Sequence, residues 1–456
     1  MIENKETIEN LISELIEQLK NLISIGFETN NIVKKKFAFI KINCTEVNYS
    51  NGSHGFSSST EEVEKEEWVW LEWFEALEKI KSSEVFVKCS KKIYDELTEH
   101  KVNANFYLTK LLSEIAEKII DLQENKVLLE KTLNSLIITF IMDIHNLPVE
   151  WKVKLWIEGI YLEDENLILN DNITLRRPIC NDLNEEYNLN NISLELMTGL
   201  DKAEITPAII EFTYKAKESH EALEYSKNLL KVLSLFEIGN VIERKYEITS
   251  NSITRFASKN KKSREGFNNQ VYFLEKGKVK ELNKFFEIIL PILNGLNSFN
   301  DKAVELALER YFDSLNEKNL DKRIALSISS LESLYLKKTE GGEITRRLAQ
   351  RVSLLIREVG KLKSLEVLGK VTKAYDIRSD YIHGSYNDEK KEKKEEIVKS
   401  ILEYTRLSIL TFLLISPTYD KDKLLNSLDS SMVDENQNQN LKKLLEKNYK
   451  KIKNGD

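Results

Sequence analysis

Cysteine is scarce in this chain, and its placement excludes two common kinds of scaffold. The three residues, Cys44, Cys89 and Cys180, stand in separate regions and form no Cys-x-x-Cys pair. A zinc ribbon requires such pairs, and a disulfide framework requires a denser set of cysteines. We therefore expect these three side chains to be small buried apolar groups.

Long apolar segments are also absent. No run approaches the roughly 20 residues that a bilayer-spanning helix needs. The first 20 residues mix Glu and Lys with Leu and Ile, which is unlike a signal peptide. The sequence thus favours a cytoplasmic protein with no membrane partner.

Motifs for metals and nucleotide cofactors are missing as well. The sequence contains neither GxxxxGK[ST] nor GxGxxG, so a P-loop and a dinucleotide fold are not indicated. Four of the five histidines, His54, His100, His145 and His220, show no HExxH or other paired ligand spacing. We expect no metal and no cofactor.

The chain has no general excess of cations, since its net charge is −7. Phosphate binding needs clustered Lys and Arg, so a nucleic-acid site must be local. Residues 337–373 contain ten cations and four anions. This basic segment is either a phosphate-binding surface or a solvated helix face.

The size and patterning of the chain predict several units. At 456 residues and 53.0 kDa the chain is too long to fold around a single hydrophobic core, because a domain typically has about 100–200 residues. We predict an α+β fold, mainly α, in four parts. These are a mostly helical N-terminal region with short strands (1–146), a β-rich, sensor-like middle domain (147–290), a helical bundle (291–418) and a loose polar C-terminal tail (419–456).

Apolar spacing supports the N-terminal part of this division. Residues at intervals of three and four predict an amphipathic helix in the first 25 positions. Residues 51–60 are rich in Gly and Ser and predict a flexible loop. Residues 66–80 favour a buried helix over a base-stacking platform, and this segment contains Trp68, Trp70 and Trp73.

Periodicity changes twice in the remainder of the chain. Alternating patterns predict strands, at 151–158, 167–176, 192–197, 208–214 and 241–250. A period near 3.6 predicts one helix at 220–236 and then a bundle, with helices at 280–290, 301–316, 321–336, 343–359, 364–381 and 391–414. Pro291 is expected to end the first bundle helix.

The most distinctive segment, residues 378–386, places Arg378 five positions before His383. We predict a buried stripe on its helix, formed by Leu365, Leu368, Val371, Tyr375 and Ile382, and a left-handed cap at Gly384. Residues five apart diverge by about 140° around a helix. Either the last turn distorts, or a second copy of the chain completes the site.

An imidazole beside a guanidinium is suited to metal-free cleavage of RNA. The imidazole can move protons near neutral pH, and the end of a helix favours its cationic form. The guanidinium can stabilise charge on phosphorus oxygens. The alternative role for His383 is capping of the helix end, and for Arg378 a surface pair with Asp376 or Asp380.

The helix that contains Arg378 and His383, together with the two helices predicted before it, resembles the HEPN superfamily (higher eukaryotes and prokaryotes nucleotide-binding). The segment Ala374–Gly384 is similar to the Arg-x4-6-His signature of that superfamily and ends in the His-Gly of its Apea-like branch. Residues 324–335 look like its helix with an acidic residue after Leu, here Glu332. Residues 343–352 look like the following helix with its Arg. The resemblance covers residues 296–416 and extends weakly into the middle unit.

The resemblance implies a metal-independent endoribonuclease, of a toxin or anti-phage (abortive infection) type, that acts as a homodimer with one shared cleft. Its substrate would be RNA such as tRNA or mRNA. The N-terminal and middle units would sense a trigger, such as a phage component, and hold the nuclease idle. The alternative is a non-catalytic bundle that binds nucleotides or RNA, or serves as a dimerisation scaffold.

Carried over by position, the resemblance makes Arg378 and His383 the catalytic pair. Ser379 is expected to hydrogen-bond, and Asp380 to orient His383 or its counterpart in the dimer. Glu332 is expected to pair with Arg351 or Arg378 inside the bundle. Flanking RNA phosphates would be held by Arg346, Arg347 and Arg351.

Overall fold

The fold is described from a computed structural model, which covers residues 5–48, 54–97, 104–145, 147–170, 172–179, 182, 208–253, 255, 258–261, 271–295, 302–337, 339–385, 389–416 and 419–453. It is mixed α and β and mainly helical, as predicted at that level. Within these ranges no helix is both long and apolar enough to cross a bilayer.

The N-terminal unit consists of five helices and one hairpin. In chain order they are α1 (Lys5–Glu28), β1 (Ile32–Asn48), β2 (His54–Trp70), α2 (Trp73–Lys81), α3 (Glu84–Glu96), α4 (Ala104–Asp121) and α5 (Lys126–Ile144). The amphipathic pattern of α1 is confirmed, because Ile8, Ile12, Leu15 and Leu19 are fully buried. This stripe packs on α3 and α4.

The hairpin corrects two predictions. β1 and β2 pair antiparallel over their whole length, from Ile32 opposite Trp70 to Asn48 opposite His54, so most of the predicted loop at 51–60 is strand. The predicted helix at 66–80 is wrong in its first part, since Trp68 and Trp70 lie on β2. Residues two apart on a strand share a face. Both indoles therefore pack on the helical core, where Trp68 meets Phe27 edge to face at 5.3 Å.

The middle unit is built on an antiparallel sheet. Its elements are β3 (Val149–Glu158), β4 (Ile160–Leu162), β5 (Asn166–Asn170), β6 (Ile173–Arg176), β7 (Ala208–Ala216), α6 (Ser219–Phe236), β8 (Ile242–Ser250), β9 (Ser258–Lys261), β10 (Tyr272–Leu274), a 3-10 turn (Lys276–Lys278) and α7 (Val279–Asn294). The sheet order is β5-β6-β7-β3-β8-β9, and β4 pairs with β10 separately.

The predicted strands match this sheet, except for the segment at 192–197, which lies outside the described residues. Helix α6 packs on the strands and on α7. Pro291 does not end α7 but lies in its last turn, where little of the helix remains to be disturbed. The predicted division at residue 290 falls inside this helix.

The C-terminal part contains α8 (Lys302–Asn316), α9 (Leu320–Tyr335), α10 (Ile344–Gly360), α11 (Ser364–His383) and α12 (Lys391–Ile415), followed by α13 (Lys421–Ser431) and α14 (Glu435–Lys453). The last two helices replace the predicted loose tail. They pack on α10 and α12 through buried apolar residues, namely Leu424, Leu425, Leu428, Leu441, Leu445 and Tyr449.

Two apolar cores organise these elements. One contains buried residues of the N-terminal unit, from Ile8 to Ile144, together with Ile253. The other runs without interruption from Val149 in the sheet to Tyr449 in the last helix. The middle unit and the bundle therefore share one core.

The junction between the sheet unit and the bundle lies at the end of α6. The last four carbonyls of a helix have no partner within it. Here Leu233 accepts from the Tyr272 hydroxyl at 3.1 Å, and Ser234 from the Tyr311 hydroxyl at 3.4 Å. The carbonyls of the two following residues, Leu235 and Phe236, both accept from Arg406 Nη1 at 2.9 Å.

Replacing Arg406 by Met should destabilise the protein by about 3 kcal/mol, because two carbonyls and the paired Glu403 lose their partner in a largely buried site. The measurement is urea unfolding of the full chain. Arg346→Met is the matched control, since Arg346 is 68% exposed and its change should cost less than about 0.5 kcal/mol. Equal stability of the two variants would contradict the role of Arg406.

Candidate functional site

The Arg/His segment forms the last turns of α11, and its helix is regular up to His383. Gly384 follows with φ of 69°, in the left-handed region where glycine is favoured, so the predicted cap is confirmed. Ser385 donates its backbone N–H to the carbonyl of Asp380 at 2.8 Å, which closes a Schellman motif. The last turn is therefore not distorted.

The buried face of α11 differs from the predicted stripe. The residues that are completely buried are Val367, Val371, Ala374 and Ile377. Leu365 is 84% exposed and Ile382 is 52% exposed. The prediction holds for Val371, and Leu368 and Tyr375 are partly buried against the core. It is wrong for Leu365 and Ile382, because both faces contain apolar residues and the smaller side chains fit the close packing against α9 and α10.

Arg378 points toward the inside of the bundle. Its Nη2 lies 3.3 Å from Glu332 Oε2 on α9, and the two side chains are 23% and 19% exposed. This contact is one of the two that the sequence predicted for Glu332. Arg378 Nε is shielded from solvent and, within the described part of the chain, donates to no acceptor.

Sequence reasoning missed the role of Tyr375 beside this pair. The Arg378 guanidinium lies 5.5 Å from the centre of the Tyr375 ring, and the Tyr375 hydroxyl lies near Glu332 and Thr345. Burial raises the pKa of Tyr375, and the charge of Glu332 raises it further. The signal was the spacing of three between Tyr375 and Arg378, which places both on one face of a helix.

His383 is in a different environment from Arg378. It is exposed at the capped end of α11, whereas the preceding Ser379 and Asp380 are half-buried. On a regular helix, five residues give about 7.5 Å of rise and about 140° of rotation. The structure thus leaves the two predicted catalytic side chains on diverging faces within one chain. Tyr386, at the end of the segment, lies outside the described residues.

The basic segment contains one residue whose predicted role needs correction. Arg351, predicted to hold RNA phosphate, is 2% exposed. Its guanidinium makes bidentate contacts with Glu340 at 2.6 and 2.8 Å and with Asp429 at 2.7 and 2.8 Å, and it donates to the carbonyl of Tyr335. With these donors engaged, Arg351 ties α10 to α13 and has no room for a phosphate.

The other two predicted phosphate ligands lie at the start of α10. Arg346 is exposed and only loosely paired with Glu343 at 3.5 Å, and Arg347 is half-buried. The first turn of α10 contains no acidic residue and has no side-chain cap. Cations at a helix N-terminus oppose the helix dipole and attract anions, and here the carboxylate of the N-cap residue Glu343 offsets part of that attraction. Thr345 places this end beside Tyr375.

Comparisons with known proteins add no assignment to this geometry. The chain matches no model of a protein family, no curated protein and no solved structure.

Glu340 provides a pH test of the Arg351 assignment. The hydrogen bond from Arg351 lowers the pKa of Glu340 from 4.5 to about 2. A group with a lowered folded pKa stabilises the protein above its unfolded pKa, and this contribution is lost as the pH falls from 4.5 toward about 2.

We therefore expect Glu340→Gln to be less stable than the parent by about 1–3 kcal/mol at about pH 6, and the difference to shrink at about pH 3. Urea unfolding at both pH values measures it. Glu343→Gln, at an exposed position, is the control and should show no such dependence. A difference between parent and Glu340→Gln that stays constant with pH would contradict the assignment.

Proposed function

We propose that this protein is a metal-independent endoribonuclease of the HEPN type, acting in anti-phage defence or as a toxin. The observation that supports it best is the end of α11, where the partly buried guanidinium of Arg378 lies about one and a half helical turns before an exposed imidazole. The helices before it, α9 with Glu332 and α10 with its basic start, are in the order expected of such a bundle.

The chemistry is an in-line attack of a ribose 2′-hydroxyl on the adjacent phosphorus. The O2′–P bond forms and the P–O5′ bond breaks, which gives a cyclic phosphate and a 5′-hydroxyl. Only RNA carries this nucleophile. An imidazole of His383 takes the proton of the 2′-hydroxyl or supplies one to O5′, and Arg378 neutralises charge on the phosphorane oxygens.

The divergence of the two side chains supports a composite site between two copies of the chain. A line of residues along α11 contains no fully buried member, and it comprises Leu365, Leu368, Thr372, Tyr375, Ser379 and Ile382. Leu368 and Tyr375 pack partly on the core, whereas Leu365 and Ile382 at the ends of the line expose large apolar side chains. A second α11 on this line would bring a second His383 to the cleft.

Arg346 and Arg347 would hold flanking phosphates of the RNA. They start α10 beside Tyr375, and Tyr375 contacts Arg378, so the basic end and the proposed cleft adjoin. Asp380 would orient His383 of its own or the other chain. The N-terminal and middle units would sense a trigger, such as a phage component, and keep the nuclease idle in the cytoplasm.

A second candidate rests on the ion pair of Arg378. Because Glu332 already neutralises the guanidinium, the bundle could serve as a non-catalytic scaffold that binds nucleotides or RNA or forms dimers. The two functions differ in whether RNA is cut.

The decisive measurement uses purified protein, labelled tRNA and mRNA, and EDTA, with and without phage lysate as a source of trigger. We expect the parent to cut RNA, and His383→Ala and Arg378→Ala each to lower the rate by about 100-fold or more, since proton transfer and charge stabilisation are lost. His220→Ala is the control, because His220 is also exposed but lies on α6. RNA binding without cleavage under all conditions would favour the scaffold.

The shared cleft has a separate test in Ile382→Asp. A charge at this exposed apolar position should oppose a second α11 and shift the protein toward monomer in analytical ultracentrifugation, with a parallel loss of cleavage. Val127→Asp is the control, because Val127 is 81% exposed in the first turn of α5, where an acidic residue is tolerated. An active monomer would exclude the composite site.

A further inference from the structure

The hairpin of β1 and β2, called the arm below, extends far from the unit that holds it. Each strand has 17 residues, so at about 3.3 Å per residue the ribbon is about 55 Å long. Its base is fixed in the N-terminal core by the buried Ile32 and by Trp68 and Trp70. Beyond this base, residues 34–38 and 64–67 are exposed.

Both long edges of the arm are open. Within the described residues, β1 and β2 have only each other as hydrogen-bonded neighbours. A two-stranded ribbon is at best marginally stable in water, and the free N–H and C=O groups of an edge are a template for another strand. The arm is therefore suited to receive a further strand on either side.

The two strands, each of which is one edge of the arm, carry opposite charge near the base. β1 contains Lys34, Lys35 and Lys36, whereas β2 contains Glu64, Glu66 and Glu67 around a single Lys65. Lys34 Nζ lies 4.9 Å from the centre of the Trp68 ring, and the side chains of each strand alternate between the two faces of the ribbon. Within the hairpin these rows already pair, with Lys36 Nζ 3.0 Å from Glu64 and Lys36 opposite Glu66 in register. Opposite charges on facing strands stabilise pairing, and like charges oppose it.

We propose that copies of this chain associate through the arm, with the basic edge of β1 in one copy pairing with the acidic edge of β2 in the next. Arms side by side with their bases aligned repeat the charge pairing of the hairpin across the new edge. The contact uses different surfaces on the two copies, so it continues until a ring closes or a filament grows.

Charge complementarity selects a second copy over RNA as the occupant. β1 supplies most of the positive charge of the arm, and β2 supplies most of its negative charge. The two strands together have five lysines and six glutamates, so a polyanion would gain no net attraction along the ribbon. This association is separate from the proposed contact at α11, which lies in the other core.

The test compares the full chain with an arm-shortened chain, in which residues 37–65 are replaced by an Asn-Gly turn. The shortened chain keeps Trp68 and Trp70 at the base and all of α11. We expect the weight-average mass from sedimentation to rise with concentration in the parent, to at least about twice that of the shortened chain. Equal masses at every concentration would overturn the proposal.

Charge reversal gives a second readout, namely the recovery of mass when two oppositely charged variants are mixed, which a folding defect of either arm would not produce. One triple variant changes Lys34, Lys35 and Lys36 to Glu, and the other changes Glu64, Glu66 and Glu67 to Lys. Each alone should lose the increase in mass, because both of its edges carry one sign of charge. Mixing the two, or combining all six changes in one chain, should restore it. No recovery in the mixture and in the combined chain would likewise overturn the proposal.

Discussion

The end of helix α6 is the constraint on which the joined architecture depends. Four consecutive carbonyls there accept hydrogen bonds from side chains of three other elements: β10, α8 and α12. A buried carbonyl without a partner costs about 1–3 kcal/mol, so the helix could not end inside the protein without these donors. Of the donors, Tyr272 belongs to the sheet unit, and Tyr311 and Arg406 belong to the bundle. Hydrogen bonding at this one helix end therefore fixes how the two parts pack.

The surrounding residues fit this requirement closely. Gly159, with φ of 93°, lies against the Asn240 carbonyl, and a Cβ there would come within 2.0 Å of that oxygen. Asn240 in turn donates to Asn316 at the end of α8 at 2.9 Å. Burial raises the pKa of Tyr272 and of Tyr311, so both remain neutral hydroxyl donors. Short polar contacts thus join the sheet unit to α8 and α12 of the bundle.

The sequence predicted elements better than it predicted contacts. The bounds of α8 to α12 match the predicted helices closely, whereas the buried face of α11 differs in part from the predicted stripe and the second half of α12 is buried on nearly all sides. The second strand of the hairpin was missed at Trp68 and Trp70. The Glu and Lys residues beside them pair with side chains of the other strand, and the sequence of one strand does not show which strand lies opposite it. The inward role of α13 was missed because only Leu424, Leu425 and Leu428 signal it within a polar segment. The sequence could not show that Arg351 and Arg346 have different roles, since only burial distinguishes an internal ion pair from a surface cation.

For the proposed site, too, the sequence predicted elements better than it predicted contacts. Spacing predicted that Arg378 and His383 diverge, and their expected role came from the resemblance of three consecutive helices to a known superfamily. The regular helix with its Schellman end removes local distortion as a way to bring the two side chains together. What the sequence could not supply is the difference in environment: Arg378 belongs to the packed side with Glu332 and Tyr375, and His383 belongs to the exposed end. In the proposed composite site, a second α11 would lie over Ser379 and Ile382, which neighbour Arg378 on the helix. The cleft between the two copies would then be the place where a guanidinium and an imidazole meet.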